Sequence, residues 1–212
     1  MQSKKLVLAS NNKGKLREFQ AMFDALGLTI VGQGALGVSA CEEPFNTFVE
    51  NCLQKARHAS RETGLPAMAD DSGLCVDALG GAPGVFSARF AGEPSDDEKN
   101  NALLVQKLQG EVNRRAHYTC VLVAVRSADD PEPLIAEGTW QGEIRDEPAG
   151  NGGFGYDPYF YSPAFGKTAA ELTADEKNAV SHRGAALRTM EKLLRKRWGW
   201  GCLSEECEPN RA

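Results

Sequence analysis

The sequence lacks long hydrophobic runs. The apolar runs Leu6–Ala9 and Val121–Val125 are only strand-sized, whereas a helix that crosses a bilayer needs about 20 apolar residues. We therefore expect no membrane partner. The apolar stretch that follows Met1–Lys5 is also too short for a secretory signal, so we expect a cytoplasmic protein.

An excess of basic residues is also missing. Aspartate and glutamate number 29 against 24 lysines and arginines, and the net charge is −5. Proteins that bind duplex DNA depend on neutralising its phosphates. Single-strand binding would call for a stripe of basic and aromatic residues, and the sequence has no such stripe. We expect no nucleic-acid partner, although a local cluster of cations could still bind a small phosphorylated ligand.

Cysteine is scattered rather than concentrated. The six cysteines fall in segments that read as helix, strand and loop alike, which favours reduced thiols. Cys202 and Cys207 lie in an acidic tail with no histidine nearby, which disfavours a zinc site. With 212 residues, 42% hydrophobic and 25% charged, the chain has the composition of a globular protein of one domain.

Strands and helices alternate in the first third of the chain. Lys4–Ala9 reads as a buried strand, and the polar turn Ser10–Lys15 follows it. From Leu16 the apolar residues recur at the steps of an amphipathic helix, which Gly27 ends. A further strand, Leu65–Met68, is expected to break at the Asp-Asp-Ser-Gly segment and to resume briefly afterwards. Three capping boxes predict helix starts, at Thr47 with Glu50, Ser95 with Glu98, and Thr173 with Glu176.

Two long strands in the middle of the chain complete the pattern. Tyr118–Arg126 and Leu134–Ile144 predict an antiparallel ribbon, and a last helix is expected from Ser181 to Trp198. This alternation indicates an α/β class with a central mixed sheet flanked by helices. Two lobes of one domain would accommodate the ribbon.

The turn Ser10–Lys15 places lysines at the start of a helix. Phosphate binding is the functional interpretation, because helix N-termini and lysines both favour oxyanions. A solvated loop with a helix cap is the alternative. It explains Asn11 and Asn12 but not Lys13 and Lys15, because cations are disfavoured at the positive end of a helix.

Acidic residues cluster in two segments. Asp70 and Asp71 follow a predicted strand, and adjacent carboxylates there suit a hard divalent cation. An Asx-turn that ends the strand is the alternative. Glu42 and Glu43 form a second acidic loop that could complete a metal site, or they are a solvated surface pair.

A glycine- and aromatic-rich loop, Gly152–Pro158, could admit a ligand to its backbone and stack on a base. Alternatively, it is a tight turn with Phe154 and Tyr156 in the core.

A basic group follows near the end of the chain. One unbroken helix could not point Lys177 and His182 at the same site, but a break at Ser181 would let them converge with Arg183. Basic residues in a first helical turn need an anion or another acceptor. Surface charges are the alternative for each of them.

Taken in order, these segments resemble the noncanonical purine nucleoside triphosphate pyrophosphatases, the inosine and xanthosine triphosphate pyrophosphatase family, in its bacterial branch. The resemblance covers about residues 5–197 and implies an elongated, two-lobed single α/β domain over residues 1–198, with 199–212 as a flexible tail. The matching segments are Leu8–Lys15, Phe48–Asn51, Lys55–Arg57, Ala69–Leu74, Leu79–Gly84, Ser87–Arg89, Gly153–Pro158 and Ser181–Gly184.

The resemblance also implies an activity. Members hydrolyse ITP, dITP and XTP to the monophosphate and pyrophosphate as cytoplasmic homodimers that use Mg²⁺, which clears deaminated purines from the nucleotide pool. Asp71 is implied as the catalytic carboxylate and a metal ligand, and Glu43, or its neighbour Glu42, as the second metal ligand. The residues implied to bind substrate are Ser10, Asn11, Asn12, Lys13, Gly14, Lys15, Lys55, Ser72, Phe154, Gly155, Tyr156, Asp157, Lys177, His182 and Arg183.

The chemistry of these residues is coherent with that activity. Magnesium and the lysines would neutralise the pyrophosphate leaving group, while Asp71, alone or through the metal, would activate a water for attack on the α-phosphorus. Hydrogen-bond donors from His182 or Arg183 would pair with the carbonyl at C6 of hypoxanthine or xanthine, and they would disfavour adenine, which has an amine there. Two alternatives are a pyrophosphatase for modified pyrimidine or methylated nucleotides, and a nucleotide-binding regulator without turnover.

Overall fold

The computed structural model describes residues 4–201. Within this range the strands are β1 (Lys4–Leu8), β2 (Leu28–Gly32), β3 (Ala67–Val76), β4 (Arg115–Val125), β5 (Leu134–Ile144), β6 (Phe160–Ser162) and β7 (Lys167–Thr168). The α-helices of the same range are α1 (Lys13–Phe23), α2 (Phe48–Thr63), α3 (Asp97–Lys107), α4 (Ala174–Val180) and α5 (His182–Trp198).

The seven strands form one mixed sheet in the order β2-β1-β3-β4-β5-β6-β7. Strand β1 pairs in parallel with β2 and with β3, whereas β6 pairs antiparallel with β5 and with β7. The two long strands predicted as a ribbon, β4 and β5, are neighbours in the sheet. The predicted α/β class with a mixed sheet and flanking helices is therefore confirmed.

The described chain divides into two compact units. The first contains residues 4–71, 121–137 and 186–201, and the second contains residues 72–120 and 138–185. Strands β3, β4 and β5 each contribute residues to both units.

Each unit has its own hydrophobic core. In the first unit, small residues of α2 such as Ala56 pack against Val7, Ala69 and Val123 of the strands. The second core is aromatic, and its largest members include Tyr118, Trp140, Tyr156, Phe160 and Leu104. Small side chains bring a helix close to a sheet, while large rings fill wider space.

Helix α1 forms as its apolar spacing predicts. Phe19 and Phe23 lie on its buried face. A 3₁₀ turn, Asp24–Leu26, continues the helix, and Gly27 ends it with φ +64°, a left-handed conformation that glycine adopts without a Cβ clash.

Two of the three predicted helix caps are confirmed. Thr47 accepts from the backbone N of Glu50 at the start of α2, and Thr173 forms a full capping box at α4. The prediction of Ser95 as the cap of α3 was wrong. Asp96 occupies that position and accepts from the backbone N of Lys99, while the Ser95 hydroxyl donates to the carbonyl of Ala88.

Strand β3 corrects a second prediction. The expected break at Asp70–Gly73 does not occur, because β3 runs without interruption from Ala67 to Val76. The Asx-turn interpretation of this segment is therefore excluded. The paired carboxylates lie in the middle of a strand, where ion pairs with lysines compensate their burial.

Several predictions concern the termini and the thiols. No helix among residues 4–201 is long and apolar enough to cross a membrane. Within the same range, Cys41, Cys52, Cys75 and Cys120 are present as thiols. Most of the predicted tail, including Cys202 and Cys207, lies outside the described residues.

Candidate active site

The predicted site residues fall into two sets, one in each compact unit. The first unit contains Ser10, Asn11, Asn12, Lys13, Gly14, Lys15, Glu43, Lys55 and Asp71. The second unit contains Ser72, Phe154, Gly155, Tyr156, Asp157, Lys177, His182 and Arg183.

The start of α1 combines a helix cap with lysines. Asn12 Oδ1 accepts from the backbone N of Gly14 at 2.8 Å and of Lys15 at 3.1 Å. Asn11 Oδ1 accepts from the backbone N of Gly34 at 2.8 Å. The asparagines therefore have structural tasks, as the capping interpretation predicts, and Lys13 remains exposed beside them.

Lys15 is held by a buried carboxylate. Its ammonium pairs with Asp70, whose side chain is 2% exposed. This ion pair joins α1 to β3 and directs the Lys15 side chain toward the strand. Asp70 is thus a partner of a predicted phosphate-binding lysine, a role that the sequence did not suggest.

Asp70 and Asp71 point to opposite faces of β3, because successive strand residues alternate in direction. Their partners come from different helices: Lys15 of α1 pairs with Asp70, and Lys55 of α2 pairs with Asp71. A shared cation on this adjacent pair stays a prediction, and it would have to reach carboxylates on two faces of the strand. Each carboxylate thus has its own lysine partner, although Asp70 is close enough to act on the charges of Asp71 and Lys55.

Lys55 links Asp71 to Glu43. Its Nζ lies 3.2 Å from Asp71 Oδ1 and 3.1 Å from Glu43 Oε1, so one ammonium contacts both predicted metal ligands. Glu42 is exposed, and its backbone carbonyl accepts from the Gln54 side chain. Of the two glutamates left open by the sequence, Glu43 is the one near Asp71.

Burial governs the electrostatics of this cluster. Desolvation raises the pKa of Asp71 to about 6, against the opposing effect of Lys55. Burial also disfavours the charged form of Lys55, but Asp71, Glu43 and Asp70 together raise its pKa above the ordinary value. Asp71 Oδ2 is buried with no hydrogen-bond partner. Such an oxygen has a lone pair directed at no donor, which suits a cation.

This donor set fits magnesium. Within residues 4–201, no three acidic, histidine or cysteine side chains are grouped as a complete metal cage. Mg²⁺ needs no such cage, because it usually binds one or two carboxylates and takes its other ligands from water and substrate phosphates. Asp71 and Glu43 could supply that part, and the metal itself stays a prediction.

In the second unit, Asp157 is the centre of a polar network. Its Oδ2 accepts from the backbone N of Phe154 at 2.9 Å and from Lys177 Nζ at 2.5 Å. Its Oδ1 accepts from the hydroxyl of Tyr118 at 3.4 Å. A Cβ at position 153 would overlap this carboxylate, so Gly153 is required for the close approach.

The two aromatic residues of the glycine-rich loop have different surroundings. Phe154 is 61% exposed, which leaves ring surface available for stacking, and Lys177 Nζ lies over the ring at 5.4 Å from its centroid. Tyr156 is buried in the core, and its hydroxyl donates to the Ser87 carbonyl at 2.8 Å. The core interpretation therefore holds for Tyr156 alone, and its backbone carbonyl accepts from the backbone N of Tyr159 and of Phe160.

The backbone between these aromatics is braced by α3. The N–H of Gly155 donates to Asp97 Oδ2 at 2.8 Å, and its carbonyl accepts from Asn101 Nδ2 at 2.8 Å. Neither Asp97 nor Asn101 was predicted. Both lie in a helix whose sequence indicates only an ordinary polar first turn.

The predicted break at Ser181 is confirmed. Ser181 has extended backbone angles at the end of α4, and α5 begins at His182. His182 and Arg183 are both buried there. The His182 ring is stacked on Tyr118, with centroids 4.7 Å apart and planes 13° apart. The break thus brings His182 and Lys177 to the same aromatic and acidic cluster.

Comparison with protein families places most of the chain. A family model described as the Ham1 family matches residues 6–193. A dITP/XTP pyrophosphatase of Chromobacterium violaceum is 67% identical over 190 residues, which cover 90% of this chain and 96% of that protein. A second dITP/XTP pyrophosphatase, from Ralstonia nicotianae, is 62% identical over 195 residues, or 91% and 97% of the two chains.

Two solved structures of similar proteins share the fold of this chain. A HAM1 protein from Coxiella burnetii is 47% identical, with a TM-score of 0.88 over 90% of this chain and 98% of that one. A nucleoside-triphosphatase / dITP/XTP pyrophosphatase from Mycobacterium abscessus is 42% identical, with a TM-score of 0.72 over the same shares of the two chains.

Proposed function

Because this chain belongs to the Ham1 family, we propose that it hydrolyses dITP, ITP and XTP to the monophosphate and pyrophosphate, as a cytoplasmic homodimer. The chain is a hydrolase of nucleoside triphosphates, as its relatives named dITP/XTP pyrophosphatase are. The cluster of Asp71, Lys55 and Glu43 is the observation that carries the proposed chemistry.

Asp71 acts as the general base. In the metal-free protein, burial raises its pKa to about 6, so this carboxylate is largely ionised at neutral pH and is a stronger base than an ordinary aspartate. It orients a water molecule and takes its proton during in-line attack on the α-phosphorus. The Lys55 ammonium, 3.2 Å from Oδ1, holds the carboxylate in place.

Lysines balance the negative charge of the triphosphate. Lys13 and Lys15, at the start of α1, and Lys55, on α2, are cations in the same unit as Asp71. Mg²⁺ held by Asp71 and Glu43 would further neutralise the phosphate oxygens and the leaving pyrophosphate. Each lost contact of this kind is expected to lower the rate on the order of 100-fold.

The second unit supplies base recognition. The exposed face of Phe154 stacks on the purine, and groups at Asp157, Lys177, His182 and Arg183 contact its edge. Hypoxanthine and xanthine have a carbonyl at C6, where adenine has an amine. A buried donor that faces this amine remains unpaired, at a cost of about 1–3 kcal/mol.

Product analysis with a panel of nucleotides tests the proposal. The protein is incubated with ITP, dITP, XTP, ATP, GTP, dTTP and UTP, with and without Mg²⁺, and pyrophosphate and orthophosphate are measured separately. We expect Mg²⁺-dependent pyrophosphate release, fastest with ITP, dITP or XTP.

Each alternative gives another result. Faster turnover of dTTP or UTP would indicate a pyrimidine pyrophosphatase, and orthophosphate release would exclude attack on the α-phosphorus. Tight ITP binding without turnover, unchanged by Asp71→Asn, would indicate a regulator. Sedimentation of the full chain tests the homodimer separately, and a monomer at micromolar concentration would contradict it.

A further inference from the structure

Tyr118 connects two residues predicted to contact the purine base. It lies on β4, in the second unit, and is 8% exposed. Its ring lies nearly parallel to that of His182, 4.7 Å away. Its hydroxyl donates to Asp157 Oδ1 at 3.4 Å. One buried side chain therefore contacts both groups.

The stacking restricts the His182 ring. An imidazole turns about its χ2 bond with little intrinsic preference, so its plane must be set by its neighbours. Tyr118 covers one face with a 13° angle between planes. Tyr118 is itself wedged against Phe160, with ring centroids 4.6 Å apart, so it cannot turn without moving the core.

The hydroxyl restricts the Asp157 carboxylate. Oδ2 is already engaged by the backbone N of Phe154 and by Lys177, and the Tyr118 hydroxyl adds a donor to Oδ1. Donors at both oxygens restrict the rotation of the carboxylate. Burial and the nearby Asp157 raise the pKa of Tyr118 well above its ordinary value, so the hydroxyl keeps its proton at neutral pH.

We propose that Tyr118 is a positioning residue that determines base specificity, by holding His182 and Asp157 in the one arrangement that matches a 6-oxopurine. This inference rests on the proposed function. His182 and Asp157 come from different segments, the start of α5 and the loop after β5. Because Tyr118 is packed in the core and contacts both residues, it fixes their orientation relative to each other.

Two substitutions separate the two contacts. Tyr118→Phe removes the hydroxyl and keeps the stacked ring, while Tyr118→Leu removes both. Trp140→Phe is the matched control, since Trp140 is a buried ring of the same cluster, packed against Tyr118 and Phe160. Values of kcat and KM are measured with ITP and with ATP, together with thermal unfolding.

Tyr118→Phe should lower kcat/KM for ITP about 5- to 10-fold, mainly through KM, as expected for one lost hydrogen bond. ATP, which lacks the 6-carbonyl, should change less than 2-fold, so the ITP-to-ATP ratio falls. Tyr118→Leu should reduce this ratio about 50-fold or more, on the order of several lost contacts. Trp140→Phe should preserve it.

An unchanged ITP-to-ATP ratio in Tyr118→Phe, or equal losses with both nucleotides, would overturn the positioning role. The proposed function fails in a different way, because the wild-type protein would then show no preference for ITP over ATP. Binding of IMP and of AMP, measured by calorimetry, gives an independent readout. Tyr118→Phe should weaken IMP binding alone. If Tyr118→Leu does not fold, Tyr118→Phe decides the question.

Discussion

Lys55 Nζ lies 3.2 Å from Asp71 Oδ1, and this ion pair joins α2 to the middle of β3. Both side chains are largely buried, with exposed fractions of 11% and 9%. Removing one partner from a buried pair leaves the other charge uncompensated. The pair therefore contributes both to the packing of α2 on β3 and to the proposed catalytic role of Asp71.

Replacing Lys55 tests its contribution. Lys55→Met keeps most of the length of the side chain and removes its charge, so Asp71 and Glu43 both lose the ammonium that they contact. We expect kcat/KM for ITP to fall about 100-fold, measured as pyrophosphate release at saturating Mg²⁺. Lys99→Met removes an exposed lysine and should retain full activity. Equal losses in both variants would contradict the role of Lys55.

Replacing Asp71 separates activity from stability. Asp71→Asn is isosteric and should reduce kcat at least about 100-fold. Because the pKa of Asp71 in the folded protein, about 6, lies above the ordinary value of 3.8, the ionised carboxylate costs stability at pH 7. Glu43, 3.1 Å from Lys55 Nζ, still compensates the lysine charge in this variant, so the unfolding temperature without divalent metal should stay equal or rise. A lower unfolding temperature would show that Asp71 stabilises the fold.

The neighbouring glutamates provide a matched pair for the metal. Glu43 contacts Lys55 at 3.1 Å, while Glu42 is exposed. We expect Glu43→Gln to raise the Mg²⁺ concentration for half-maximal activity at least about 10-fold, because a proposed ligand loses its charge, and Glu42→Gln to leave it unchanged. A Mg²⁺ titration of pyrophosphate release measures this. A shift with Glu42→Gln alone would assign the metal to the other glutamate.

A buried aspartate outside the site stabilises the connection between β4 and β5. Asp130, 3% exposed, accepts hydrogen bonds from the backbone and side chain of Arg126 and from the backbone of Glu132. We expect Asp130→Asn to lower the free energy of unfolding by about 2 kcal/mol at pH 7, measured with urea. Asp129→Asn, at the exposed neighbour, should change it by less than about 0.5 kcal/mol.

The stabilisation by Asp130 should depend on pH. Hydrogen bonds from Arg126 hold the pKa of Asp130 well below its ordinary value. The folded protein therefore binds this proton less tightly than the unfolded chain does, and the stabilisation is present above about pH 4, the unfolded value. The difference between wild type and Asp130→Asn should stay constant from pH 7 to 5 and shrink below pH 4. A difference that shrinks already at pH 6 would exclude Asp130 as its source.

Local signals in the sequence predicted the elements well. The spacing of Phe19 and Phe23 indicates α1, and Thr47 and Thr173 indicate the starts of α2 and α4. The break at Ser181 was expected because one unbroken helix could not point Lys177 and His182 at the same site. Each of these signals acts over a few residues, so the chain itself contains the cause. The cap at Asp96 was missed because Ser95, beside it, offers an equally suitable hydroxyl.

The unbroken β3 was missed for a different reason. Two aspartates, a serine and a glycine predict a turn by local preference. Pairing with sheet neighbours and ion pairs from Lys15 and Lys55 outweigh that preference, and both effects come from distant parts of the chain.

The amino-acid sequence alone determined the α/β class and most helix starts, because these follow from periodicity and short local motifs. Its motifs in order also carry the resemblance to the family whose model matches residues 6–193. Only the tertiary structure decided that Asp70 and Asp71 face opposite sides of one strand, that Glu43 rather than Glu42 lies beside Lys55, and that Tyr118 stacks on His182. Burial and charge depend on which distant segments meet, and those contacts exist only in the folded chain.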